Sequence, residues 1–136
     1  MDTSFTPALG YMEMVQRRDT ATLLPIIQAH TRTGTIIHSD EWAAYNRVQS
    51  LPTISLHQTV NHSVEFVNST TGTHTQNVES YWNRSKTKIK RMKGCHLHMI
   101  PNYLDEFMWR ERHGKTASHG QALDSIIRDI ADQYPV

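Results

Sequence analysis

Between residues 75 and 94 apolar and polar positions repeat on a helical period. Val78, Tyr81, Trp82, Ile89 and Met92 recur mostly at spacings of three and four, which predicts one helix of about five turns closed by Gly94 just past its end. Glu79, Asn83, Lys86 and Lys90 fall on the neighbouring polar face, and Arg84, Lys88 and Arg91 line a third strip. With Lys93, this stretch offers one carboxylate near its start and six cationic side chains after it. A solvated helix face accounts well for lysines. It accounts less well for a lone acid beside Trp82 followed by cations only.

The rest of the pattern is mixed. Residues 1–10 hold Asp2, Pro7 and Gly10 and read as a turn, and residues 11–16 alternate loosely as a candidate strand. Asp19 or Thr20 caps a helix covering Leu23, Leu24, Ile26 and Ile27, with Pro25 early in it and an end around residues 32–34. Residues 35–38 form a short apolar strand running into Ser39 and Asp40, followed by a helix with Trp42, Ala43 and Tyr45. Residues 54–60 are the next strand, and a loop with Asn68, Ser69 and Gly72 leads to the central helix. Pro101 opens another helix with a stripe of Ile100, Tyr103, Leu104, Phe107 and Met108. After a polar link over residues 114–120, Leu123, Ile126, Ile127 and Ile130 mark a final short amphipathic helix with acids on its outer side. This order argues an α/β fold with a small sheet and a helical C-terminal half.

Composition narrows the class. The 136 residues are 38% hydrophobic and 20% charged, enough for one domain with a real core. The net charge is +1, so affinity for nucleic acid must come from local clustering. A single cysteine, Cys95, excludes an internal disulfide and fits a reducing compartment. No apolar run approaches the ~18 residues a membrane span needs, and the start lacks a signal peptide's basic and apolar regions. The expectation is an intracellular protein without a membrane partner, nuclear in a eukaryote and cytoplasmic in a bacterium. Cys95, His96 and His98 lack the paired spacing of a structural zinc site.

Asp40, at the carboxyl end of a strand, sits where ligands and catalytic groups gather in open α/β sheets; the plainer reading of it is an N-cap for the next helix, and the two roles can coexist. Glu79 lies 39 positions on, in the first turn of the central helix. Two carboxylates with substrate phosphates suit hard cations such as Mg2+. Two such ions about 4 Å apart support in-line phosphoryl displacement. Lys86 and Lys90 would then hold DNA phosphates as point charges. By spacing alone this pair of acids is weak testimony.

The wording of four segments adds to it. G-T-I-I-H-S-D-E-W-A-A-Y (34–45), V-N-H-S-V-E-F-V (60–67), T-G-T-H-T-Q-N-V-E-S-Y-W (71–82) and Y-L-D-E-F-M-W-R-E-R (103–112) closely resemble the Merlin-type DDE transposases and their bacterial insertion-sequence relatives. The resemblance implies an RNase H-like core and a nuclease and strand-transfer centre with two divalent ions, Mg2+ or Mn2+. In that pattern Asp40 looks like the second acid and Glu79 like the third, both as catalytic metal ligands. Asn61, His62, His74 and Gln76 match family motif positions near the site. Arg84, Lys86, Lys88, Lys90, Arg91 and Lys93 would face DNA, with self-association as a second partner class. Residues 1–113 correspond to a partial catalytic domain and 114–136 to a C-terminal helical tail.

The family's first aspartate lies on the first sheet strand, upstream of the segment resembling residues 1–10. The chain is therefore expected to begin inside the second strand, lacking that acid, its strand and any N-terminal DNA-binding module. Asp2 aligns with a turn and not with the metal ligand. Without the intermediary strand, 11–16 and 35–38 are expected to leave open backbone edges, with marginal stability or completion by another chain. Metal-dependent activity is expected to be defective in this chain alone. The rival reading is a non-catalytic DNA-binding remnant or a host-recruited transposase-derived protein.

Overall fold

Asp19 opens the first helix. In the computed structural model, which describes residues 1–6, 8–61, 74–113 and 119–135, its carboxylate accepts from the Thr22 backbone N–H at 2.9 Å and the Thr22 hydroxyl at 2.7 Å. These bonds cap α1 (Thr20–Ala29). The helix stops earlier than residues 32–34. The Thr31 hydroxyl turns back to the Ile27 carbonyl at 2.9 Å, and Gly34 takes a positive φ of 87°. Pro25 lies inside the helix, past its first turn, so it removes the N–H that would bond the Ala21 carbonyl.

The chain divides into two compact units, one of residues 15–80 and the other of residues 1–14 with 81–136. In the first, β1 (Thr35–Asp40) and β2 (Ile54–Val60) pair in parallel, with Ile36 opposite Leu56 and Asp40 opposite Val60. They form a two-stranded sheet among the described residues. Leu24 and Ile27 of α1, Ile37 of β1 and Tyr45 pack against buried Val48, Leu51 and Ile54. Ile36 and Leu56 are exposed.

The helix expected after Asp40 is replaced by two 3-10 turns, Ala43–Tyr45 and Val48–Ser50. The Ala44 carbonyl, which an α-helix would offer to residue 48, instead accepts from the Thr20 hydroxyl at 3.2 Å. No helix of the described residues is long and apolar enough to cross a membrane.

The strand expected over 11–16 does not form. Asp2 and Leu9 exchange backbone hydrogen bonds of 2.7 and 2.9 Å, closing the N-terminal turn. Met12 then goes into a core rather than a ladder: its side chain joins Tyr81, Leu104 and Phe107, and its N–H donates to the Met108 sulfur at 3.0 Å. Four and a half turns of α2 (Gln76–Arg91) start in the first unit and continue into the second, where α3 (Ile100–His113) and α4 (His119–Gln133) follow. Tyr81 meets Phe107 edge-on at 5.1 Å between ring centroids.

The end of α2 is a Schellman turn. Gly94 N–H reaches the Ile89 carbonyl and Lys93 N–H the Lys90 carbonyl. Lys93, and not only Gly94, therefore takes a left-handed φ, of 58°. The apolar side of α4 carries Leu123, Ile126, Ile127 and Ile130, all exposed. The molecule is a mixed α/β protein with a small parallel sheet and several helices.

Candidate functional site

Residue 39 anchors the end of β1. Ser39 is buried, its hydroxyl donates to the Asp40 carbonyl at 2.7 Å, and it lies 2.9 Å from Nε2 of His57 on the neighbouring strand. Asp40 projects from this pinned end as an exposed carboxylate, and its Oδ1 accepts from the Trp42 backbone N–H at 3.2 Å. Asp40 stands at the strand's carboxyl end and turns the chain there, but it does not cap a helix, since the element that follows is a 3-10 turn whose N-cap position is Trp42. Burial and then the Asp40 charge push the Tyr45 hydroxyl pKa up, so Tyr45 stays a neutral donor beside this acid. Because the strands are parallel and Asp40 is in register with Val60, Asn61 follows at the same carboxyl end of the sheet. His62 lies outside the described residues.

Glu79 occupies the first turn of α2. Its Oε1 accepts from the hydroxyl of buried Thr75 at 2.9 Å, and its N–H bonds the Thr75 carbonyl at 3.1 Å. An acid here also complements the helix dipole. His74 is half-buried, with its Nδ1 buried and without a hydrogen-bond partner among the described residues, while Gln76 is exposed. Asp40 and Glu79 each offer hard oxygen donors of the kind Mg2+ takes. Among the described residues, no group of three or more His, Cys, Asp or Glu side chains is placed to hold one ion.

The six cations of the α2 region divide into two sets. Arg84 pairs with Glu111 at 2.8 Å and stands over the Tyr81 ring at 5.4 Å. Lys88 pairs with Glu106 at 2.6 Å, and Glu106 also receives Arg110 at 2.8 Å. Hydrogen bonding from Lys88, reinforced by Arg110, holds the Glu106 pKa below its usual range. These two cations face α3. Lys86, Lys90, Arg91 and Lys93 are exposed, and no ion pair among the described residues engages them.

Sequence reasoning missed Glu106 and Glu111 as the partners that divide the cations. It also placed Trp82 on the apolar stripe, whereas Tyr81 and Ser85 are the residues α2 buries and Trp82 is exposed. A cleft of about 480 Å3 in the second unit, walled by Gly10, Tyr81, Trp109 and His113, includes neither predicted acid.

A family model described as ISXO2-like transposase domain matches residues 8–112, most of the chain, and the chain belongs to that family. It is 25% identical over 118 residues to an uncharacterized transposase-like protein of Haemophilus influenzae, covering 87% of this chain and 93% of that one. No solved structure matches the chain.

Proposed function

We propose that this chain is a transposase-derived domain for metal-dependent cleavage and strand transfer of DNA, built on an RNase H-like core of the Merlin and insertion-sequence type. The observation that carries the reading is the place of Asp40, at the carboxyl end of β1 in register with the end of β2, inside a matched transposase domain. Asp40 and Glu79 would hold Mg2+ or Mn2+. When bound, the ions would supply charge neutralisation and an activated oxygen nucleophile for phosphoryl transfer. The chain's own part is to present the two carboxylates from ordered element ends, with Asn61, His62, His74 and Gln76 nearby in the motif. Lys86, Lys90, Arg91 and Lys93 would hold the DNA backbone. Arg84 and Lys88 serve it indirectly, by fixing α2 against α3.

Titration calorimetry tests the metal half. Wild type should take up Mn2+, and Asp40→Asn and Glu79→Gln should each weaken uptake; ion binding indifferent to both changes would remove the catalytic reading. Fluorescence anisotropy tests the DNA half. Replacing Lys86 and Lys90 by Ala should lower duplex affinity and reduce the salt slope by about 1 per lysine. Salt-dependent DNA binding without carboxylate-dependent metal uptake would leave a DNA-binding remnant.

A further inference from the structure

The three tryptophans are placed differently. Trp42 lies under the Arg18 guanidinium at 4.5 Å and meets Tyr45 edge-on at 5.4 Å. Trp109 donates its indole N–H to Asp129 at 2.6 Å and stacks on His113 at 5.1 Å. Trp82 is 49% exposed, and no ring contact, ion pair or indole hydrogen bond among the described residues engages it. It shares one sector of α2 with Lys86 and Lys90, and Lys93 follows in the turn after the helix; these three, like Arg91, have no ion pair among the described residues.

We propose that Trp82 is a stacking platform for an unpaired DNA base, with Lys86, Lys90 and Lys93 holding the phosphates of the same strand. The inference rests on the nucleic-acid reading of α2 and names the form of DNA that face takes. An indole offers a flat apolar surface that any base can cover, and a row of cations beside it tracks a backbone; this pairing characterises single-strand sites. In an intact duplex the base faces are already stacked on one another. The platform therefore selects DNA that is single-stranded or locally opened. Charge complementarity argues for nucleic acid over an apolar protein partner, because α2 carries no acid beyond Glu79 to offset these cations.

The test compares short oligothymidylate with a blunt duplex of equal length, binding the full chain at several salt concentrations. Trp82→Ala should weaken oligothymidylate binding roughly 5- to 150-fold. Duplex affinity and the salt slope should be unchanged. Trp82→Phe should keep most of the affinity, whereas Trp82→Leu, similar in apolar character but without a π face, should lose it. Wild-type affinity in Trp82→Ala, an equal loss on duplex, or full retention in Trp82→Leu would each overturn the platform while leaving α2 a DNA surface. If wild type binds neither probe, the DNA reading itself falls and the platform with it.

Discussion

A methyl group on residue 10 would overlap three atoms of the Tyr81 ring, Cζ, Cε1 and Cε2. The ring cannot simply swing away, because Tyr81 is 2% exposed and packed with Met12, Leu104 and Phe107. Gly10→Ala should cost about 1–3 kcal/mol, as overpacking does. It would appear as a lower urea midpoint with an unchanged m-value; an unchanged midpoint would show that the ring has room. His57 gives a pH signature. Burial lowers its pKa, favouring the neutral ring that lies beside Ser39. As pH falls the unfolded chain takes up this proton first. The stabilisation is therefore complete above the ordinary histidine value and declines as pH drops toward the folded value. Urea melts at about pH 7 and about pH 5.5 should show that loss. His57→Gln should reduce the difference, and an equal difference in the variant would rule His57 out as its source.

At the scale of elements, what could be read from the chain depended on how far apart the deciding residues lie. The strand at 54–60 and the apolar stripe of α3 are local patterns, and the structure has both. Residues 11–16 look the same as a short strand, but Met12 is drawn to Met108, 96 positions away, and local alternation carries no trace of that. The α2 cations were legible as a cluster, yet not which of them are neutralised. Glu111 is 27 positions from Arg84, outside any helical period. Of the candidate site, the elements bearing Asp40 and Glu79 were readable because each sits at an end marked by local chemistry. Their use on DNA is a proposal.

The α4 stripe is a similar case, for amphipathic spacing announced a helix without saying what covers it. Exposed Ile127 and buried Leu104 should then behave differently. Leu104→Ala should cost about 2–5 kcal/mol by opening a cavity, whereas Ile127→Gln should stay within about 0.5 kcal/mol. Equal losses in thermal or urea melts would mean that the α4 face is covered in solution.

At the scale of the whole molecule, a net charge of +1 conceals an uneven distribution. Cations gather along α2, and α4 carries Asp124, Asp129 and Asp132 against Arg128. The division into units is uneven too, in a way that matters during synthesis. Every residue of the 15–80 unit emerges from the ribosome in one stretch, so that unit can assemble early. The other unit needs residues 1–14 to meet partners from residue 81 onward. At about 5–20 residues per second, Met12 waits on the order of 5–20 s for Met108, whose sulfur accepts its N–H. Throughout that interval the segment around Met12 stands open to chaperones and to neighbouring nascent chains. Within this sequence, residues 1–14 are made well before the partners they pack against.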